Sequence, residues 1–246
     1  MRSTAHLHLL FLFCGVVLLS GCNVNKNIDV PANAHWSSGT STINGVITVG
    51  AGAVVDGGLR TINGAIHLGA GAQTGNLTIV NGPITLTDGA QAGKLEGVNS
   101  SVTLGKNVLI SSDIAIVNGA LRTASGTRLD GSAAIVNGNM ALCGTVVSGH
   151  LSFVNGTVWL ADSSSAQGDI TAQQPKGSTE NNPPPVVVIG PHAIVGGSII
   201  FERPGKLYVS DTAVIHAVQG VTPAKFSSAT PADVSLPECP TSTGEE

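Results

Sequence analysis

Residues 62–72 read Ile-Asn-Gly-Ala-Ile-His-Leu-Gly-Ala-Gly-Ala, and the opening pair of this segment, an apolar residue followed by Asn, returns along the chain at a nearly constant interval. Seven asparagines stand in that pair, separated by 19, 18, 18, 19, 19 and 18 residues. They are Asn44, Asn63, Asn81, Asn99, Asn118, Asn137 and Asn155. A fixed short period of this kind indicates a solenoid, in which each repeat buries its apolar face by stacking on the next repeat.

Aliphatic residues hold fixed places within the repeat. They lie directly before each Asn, three and five residues after it, and in most repeats four residues before it. After the Asn they alternate with polar or small residues, which is the period of a β-strand. A repeat of this length suits a coil of three short strands, with successive coils about 4.8 Å apart. The sequence therefore predicts an all-β fold, a single-stranded parallel β-helix with the aliphatic columns in its interior.

The Asn column is predicted to occupy one corner of every coil. Asn tolerates left-handed backbone angles, and the Gly that usually follows supplies a second permissive residue. Stacked amide side chains also hydrogen-bond from one layer to the next. We therefore expect a structural asparagine ladder along one edge of the solenoid.

The handedness of the helix has two interpretations. A period of 18 residues equals three hexapeptides, the repeat of left-handed β-helix acyltransferases, and residues 189–196 resemble one such hexapeptide segment. Three of the six intervals are 19 residues long, however, which breaks a strict period of six. The right-handed form is therefore favoured, and a hexapeptide-type acyltransferase stays an alternative.

The first residues are typical of an export signal. An apolar run from Leu9 to Leu19 is too short to span a membrane and ends in Leu19-Ser20-Gly21-Cys22, which resembles a bacterial lipobox. This resemblance implies a lipoprotein signal peptide at residues 1–21 and a palmitate-bearing lipid anchor on Cys22. Asn23 rather than Asp follows, and by the sorting rule of such lipoproteins this favours the periplasmic face of the outer membrane.

The exported part of the chain divides by composition. Residues 22–41 form a polar leader, residues 42–218 the β-helix, and residues 219–246 an irregular tail rich in Pro, Ser and Thr. A Pro-rich stretch at residues 172–185 breaks the period and is predicted to be an insertion thrown out of the solenoid.

Two further cysteines, Cys143 and Cys239, remain beside Cys22 after the signal peptide is removed. An oxidising compartment favours a disulfide between them, which would close a loop of 239 − 143 = 96 residues. Two unpaired thiols remain the alternative, because a disulfide needs Cα atoms within about 7 Å of each other and spacing alone does not show this.

Charge and residue types argue against several functions. A formal net charge of −4 disfavours nucleic-acid binding, and only 3% of residues are aromatic. Acidic residues that share a column, such as Asp56 with Asp130 and Asp113 with Asp169, lie about 14–19 Å apart, whereas paired catalytic carboxyls need roughly 5–10 Å. The histidines show no metal-ligand spacing. The sequence therefore predicts no metal, no cofactor and no enzyme, with a polysaccharide-acting envelope enzyme as a weaker alternative.

One outward column carries candidate binding residues. Thr48, Thr85 and Thr103 lie four residues after an Asn, and Trp159 takes the same place in a later repeat. Such a column could bind envelope glycans, which makes a carbohydrate-binding or adhesive module the main alternative function. The plainer interpretation is that Thr is favoured on a solvated strand and that Trp159 packs under the insertion at residues 172–185.

The repeated Val-Asn-Gly steps with Gly-Ala-rich turns, as in residues 62–72, resemble the polymer-forming repeats of bactofilins and the related β-helical repeats of bacterial adhesins. The likeness covers roughly residues 41–171, and it implies a right-handed β-helix that assembles end to end. The export signal, the insertion and the cysteine pair depart from bactofilins. We therefore expect a structural or scaffold protein of the cell envelope, attached to the membrane through Cys22 and self-associating at its ends.

Overall fold

The chain folds as a parallel β-solenoid. A computed structural model describes residues 22–161, 163–175 and 182–240. Within this part the backbone winds into about ten coils, and most coils contribute three short strands to three faces that run along the molecule. The predicted all-β, single-stranded parallel β-helix is confirmed. The predicted signal peptide, residues 1–21, lies outside the described residues.

Face A holds the strands that lead into the corner occupied by Asn, face B holds the strands that leave this Asn corner, and face C holds two-residue strands that close each coil. Face A comprises Cys22–Val24, Thr40–Ile43, Leu59–Ile62, Leu77–Val80, Leu151–Asn155, Ile170–Ala172, Ile199–Phe201 and Val218–Gln219. Face B comprises Ile28–Val30, Val46–Val49, Ala65–Leu68, Ile84–Leu86, Thr157–Ala161, Val186–Ile189, Lys206–Ser210 and Pro223–Phe226. Three strands run through the corner and belong to both faces: Leu95–Leu104, Ile114–Thr123 and Ala133–Cys143. Face C comprises His35–Trp36, Val54–Val55, Gln73–Thr74, Gln91–Ala92, Leu109–Ile110, Arg128–Leu129, Val146–Val147, Ser165–Ala166 and Ile194–Val195. In the described part of the chain, no helix is long and apolar enough to cross a membrane.

Successive coils stack in register, so that equivalent residues lie directly above one another. On face B the backbone pairs Ile47 with Ile66, Ile66 with Ile84, and Ile84 with Val102. All four side chains are fully buried. Because each aliphatic side chain is covered by its counterparts in the coils above and below, one continuous core runs along the solenoid. Each such side chain contributes about 1.5–3 kcal/mol of hydrophobic stabilisation.

The column directly before the Asn lies outside the core, contrary to the prediction. Ile43, Val80 and Val117 are only half-buried, whereas Ile79 and Ile116, one place earlier, fill the interior of face A. Strand residues alternate between the two sides of a sheet, so burial of the residue two places before the Asn turns the next residue outward. The corner then resets the alternation, and the residues three and five places after the Asn point inward.

The predicted polar leader is the first coil of the solenoid. Residues 22–36 contribute one strand to each face, and each strand pairs in parallel with the following coil. Ile28 and Val30 are buried in the core. The coil opens with the pair Val24-Asn25, as later repeats do, but Lys26 stands where most of them have Gly. Polar neighbours of this pair concealed the period.

The solenoid also continues past its predicted end. Val218–Gln219 and Pro223–Phe226 pair in parallel with the preceding coil. The part of the tail that follows, residues 227–240, contains no strand, in agreement with the predicted irregular tail. The strand Ile170–Ala172 ends before the Pro-rich stretch and the strand Val186–Ile189 begins after it, at the place where an Asn corner would stand. Residues 176–181 of this stretch lie outside the described residues.

One coil lacks the interior isoleucine of its neighbours, and a serine of the same coil takes part of the space. Its neighbours place Ile79 and Ile116 in the interior of face A, but this coil has Gly97 there. Ser100 stands where most coils have the Gly after Asn, and its side chain is buried. A Cβ atom added to Gly97 would lie 2.9 Å from the Cβ atom of Ser100. The serine therefore takes space that isoleucine fills in adjacent coils, and its Oγ atom has no hydrogen-bond partner.

Candidate functional site

The asparagines form a continuous ladder of side-chain hydrogen bonds between faces A and B. The Nδ2 atom of each Asn donates to the Oδ1 atom of the Asn one coil nearer the N-terminus, over 2.7–3.0 Å. The ladder comprises Asn25, Asn44, Asn63, Asn81, Asn99, Asn118, Asn137 and Asn155. Asn25 was not predicted as a ladder residue from the sequence, although Val24-Asn25 lies 19 residues before the corresponding pair at Asn44. Each bond contributes about 0.5–1.5 kcal/mol, so the ladder ties neighbouring coils together.

Most of the ladder asparagines have a left-handed backbone conformation. The angle φ lies between 49° and 59° at six ladder positions: Asn25, Asn44, Asn63, Asn81, Asn99 and Asn118. Asn137 and Asn155 are not left-handed, and there Gly138 and Gly156 take positive φ values of 148° and 118°. The asparagines of all eight coils thus form side-chain hydrogen bonds, whereas the Asn adopts the left-handed backbone conformation in only six of these coils.

Arg203 closes the C-terminal end of the ladder. Its Nη2 atom donates to the Oδ1 atom of Asn155 over 2.8 Å and to the carbonyl oxygen of Val154 over 2.9 Å. Burial lowers the pKa of this guanidinium from its ordinary value. Arg203 follows the strand Ile199–Phe201, where an Asn corner would stand. A charged donor therefore satisfies the last ladder oxygen, and nothing in the repeat pattern indicated it.

Two of the aligned carboxylates support the backbone of the following coil. The Oδ1 atom of Asp113 accepts the backbone N–H of Ser132, and the Oδ1 atom of Asp169 accepts that of Ser198, each over 2.8 Å. These side chains act as turn caps between faces C and A. No group of three or more His, Cys, Asp and Glu side chains that could hold a metal ion occurs among the residues that the structure describes.

The other aligned carboxylates contact exposed basic side chains. Asp56 lies 2.9 Å from the Nε2 atom of His35, and Asp130 pairs with Arg128 two residues earlier. Each of these pairs is at the surface, where an ion pair contributes only about 0–1 kcal/mol. Neither pair brings two carboxyl groups together.

The three threonines of the candidate binding face lie in one column of face B. The backbone pairs Thr48 with His67, His67 with Thr85, and Thr85 with Thr103, and Arg122 follows in the next coil. Thr48 is exposed and the next four residues of the column are half-buried. This part of face B is an accessible polar strip.

Trp159 belongs to the same column and is half-buried. It packs against a small cluster formed by Ala141, Cys143 and Ala161, together with Cys239 of the tail. The indole Nε1 atom is buried without a hydrogen-bond partner. Cys239 of the tail belongs to this contact, whereas residues 176–181 of the insertion predicted to cover Trp159 lie outside the described residues. The indole nitrogen of Trp159 is therefore enclosed, although the residue as a whole is half-buried.

Cys143 and Cys239 form a disulfide, with Cα atoms 6.0 Å apart. The bond connects the tail to face B. The spacing of the two cysteines in the sequence had left this pairing open. Beside it, the hydroxyl groups of Thr123 and Thr145 share a buried hydrogen bond of 2.6 Å, and the Thr145 hydroxyl also donates to the carbonyl oxygen of Cys143. The backbone that carries Cys143 is therefore held firmly from inside the solenoid.

Comparison with protein-family models, with curated proteins and with solved structures finds no match to this chain. The class that the structure defines is the parallel β-solenoid of stacked coils. The resemblance to bactofilins and adhesin repeats rests on the repeat pattern alone.

Proposed function

We propose that this chain is a non-catalytic structural protein of the bacterial cell envelope, a rigid rod held at a membrane by a lipid on Cys22. The observation that carries the proposal is the ladder, which joins eight successive coils through one repeated hydrogen bond. The carboxylates of Asp113 and Asp169 likewise bond to the backbone of the neighbouring coil. Such an arrangement favours stiffness and length over chemistry.

The place of Cys22 in the fold supports a rod that stands upright. Cys22 opens the first strand and pairs with Ser41 of the next coil, so no flexible leader separates the proposed lipid from the solenoid. The first coil would therefore lie against the membrane. About ten coils at ~4.8 Å each would project roughly 50 Å from it.

This placement restricts self-association. In the described part of the chain, the strands of the first coil and of the last coil are paired on one side only. Unpaired strand edges are templates for further pairing. A lipid next to the first coil would block that end, so an anchored rod offers only its C-terminal coil, whereas a chain without lipid offers both ends.

Fractionation tests the anchor. We expect Cys22→Ala to lose the lipid mass and to move from the membrane fraction to the soluble periplasmic fraction. Asn23→Asp is the matched control, since it should keep the lipid and change only the membrane in which the protein resides. An unchanged distribution of Cys22→Ala would contradict lipid anchoring.

Electron microscopy with light scattering tests self-association. Residues 23–246, which lack the lipid, should form filaments that lengthen with concentration, whereas the lipidated chain in detergent should form no assembly larger than a pair. Uniform monomeric rods in both samples would contradict end-to-end pairing and would favour a function of the lateral faces.

The exposed threonine strip favours one second candidate, a glycan-binding module. In that case Thr85→Val should weaken binding to envelope glycans, while Trp159→Ala should not, because the indole Nε1 atom of Trp159 is buried and cannot bond to a glycan. A glycan panel with no binding by the unmodified chain would reject this candidate.

A further inference from the structure

The outward column of face B changes its chemical character partway along the rod. Its first six residues are mostly polar: Asp29, Thr48, His67, Thr85, Thr103 and Arg122. The next four, here called the platform, are Ala141, Trp159, Val188 and Tyr208. Ala141 and Val188 are fully buried, although they belong to the side of the sheet that faces away from the core. Ala141 shares a cluster with Trp159 and with Cys239 of the tail, and Val188 lies between Trp159 and Tyr208.

The covering segment is the tail, residues 227–240, here called the strap. It is fixed at both ends of the platform. The Tyr208 hydroxyl donates to the Oδ2 atom of Asp233 over 2.8 Å, and Cys239 is bonded to Cys143 beside Ala141. Asp233 and the aromatic ring's burial together raise the pKa of the Tyr208 hydroxyl, as expected for a phenol beside a carboxylate. The strap therefore runs back along face B, toward the N-terminal coils.

Little of the strap itself is buried. Pro231 is its one buried residue, and its other thirteen residues are exposed or half-buried. Among the described residues, no backbone hydrogen bond joins the strap to the solenoid. The disulfide is therefore the principal restraint, and the strands of the solenoid do not depend on the strap for pairing.

We propose that the strap is a redox-controlled cover, closed while Cys143 and Cys239 are bonded and open after their reduction by a dithiol. A thiolate of the dithiol attacks the Sγ atom of Cys239, which is the less buried residue of the pair, and Cys143 leaves as a thiolate that takes up a proton. The second thiol of the dithiol then displaces Cys239 as a free thiol. The dithiol is oxidised to a disulfide, and two electrons and two protons pass to the protein.

Opening joins two surfaces that are separate in the closed form. The platform would continue the polar threonine strip, so that an aromatic and aliphatic patch would become accessible on the half of the rod distant from Cys22. Exposed apolar patches of this kind mark interaction sites. The inference stands on the disulfide and the strap contacts, and it holds whether or not Cys22 carries a lipid.

Tryptophan fluorescence tests the cover. In the full chain with Trp36→Phe, Trp159 is the sole tryptophan. We expect acrylamide to quench its emission at least twofold more strongly after addition of a phosphine reductant. Adding Cys239→Ser should give the same strong quenching without reductant and no further response to it. Far-ultraviolet circular dichroism should stay unchanged in all samples.

A second variant separates the two restraints. Asp233→Asn with the disulfide intact should leave quenching at the level of the closed form. If alkylation and mass spectrometry show both thiols free while Trp159 remains shielded, the noncovalent contacts hold the strap and the proposal is overturned. Strong quenching of the oxidised chain would also overturn it, since the strap would then not cover Trp159.

Discussion

Replacing single ladder asparagines by Ala and by Gly measures their hydrogen bonds and their backbone conformation separately. Asn63 donates to Asn44 over 3.0 Å and accepts from Asn81 over 2.8 Å. Asn137 has the same two kinds of bond, of 2.8 and 2.7 Å. The two residues differ in backbone, since φ is 54° at Asn63 whereas Asn137 is not left-handed.

The expected magnitudes follow from this difference. Removing either side chain deletes two exposed hydrogen bonds, a loss of about 1–2 kcal/mol at the lower end of the usual range. At Asn63, Gly removes the Cβ atom that strains the left-handed backbone, whereas Ala keeps it, so Gly should be favoured over Ala by about 1–2 kcal/mol. At Asn137, Gly costs about 0.5–1 kcal/mol more than Ala through its greater freedom in the unfolded chain. Gly should therefore be the more stable replacement at Asn63, and Ala the more stable one at Asn137.

Urea unfolding followed by circular dichroism measures these free energies. Only Ala and Gly variants of one position are compared with each other, because a solenoid sums contributions of neighbouring coils. The same order of Ala and Gly at both positions would refute the assignment of backbone strain. Four variants as stable as the unmodified chain would show that the ladder hydrogen bonds contribute no net stability.

Three further predictions concern packing and the ladder end. The double variant Gly97→Ile with Ser100→Gly should be about 2 kcal/mol more stable than the unmodified chain, because it buries an aliphatic side chain and removes an unpaired hydroxyl. Each single change should be destabilising. Additive effects of the two changes on the free energy of unfolding would contradict the compensation between these residues. Arg203→Ala should lower the free energy of unfolding in urea by about 1.5–3 kcal/mol, because its charged hydrogen bonds are lost. Arg203→Lys should be intermediate. Equal stability of both variants and the unmodified chain would refute the capping role. Gly138→Ala should prevent stable folding, because its Cβ atom would lie 1.6 Å from a carbonyl oxygen of the preceding coil. Gly71→Ala, with no atom within 4 Å of its Cβ position, should cost only about 1–2 kcal/mol, and thermal melting of the two variants checks the difference.

Most of the architecture was predictable because it is local and repeated. The interval between asparagines predicted the coil, and residue alternation predicted the buried columns three and five places after each Asn. The first coil escaped detection because Lys26 replaces the usual Gly and polar residues surround Val24-Asn25. The aliphatic column before the Asn was assigned to the core on hydrophobicity alone, whereas strand alternation places it outside.

The candidate binding face was predicted only in part. Spacing placed Thr48, Thr85, Thr103 and Trp159 in one column, and the structure has them there. It could not show that Trp159 shares a cluster with Cys239 of the tail or that its indole Nε1 atom is buried. Exposure at these positions depends on a tail that has no period and no strand.

The sequence by itself determined the parallel β-solenoid, its three-stranded coil and its asparagine ladder, because a repeated pattern imposes the same local geometry on every coil. Only the tertiary structure decided how the ladder ends and which part of face B is open. Arg203 reaches Asn155 from 48 residues away, and Cys239 reaches Cys143 from 96 residues away. These contacts are not part of the repeat, so the repeat pattern does not predict them. They form only when the stacked coils bring distant segments together.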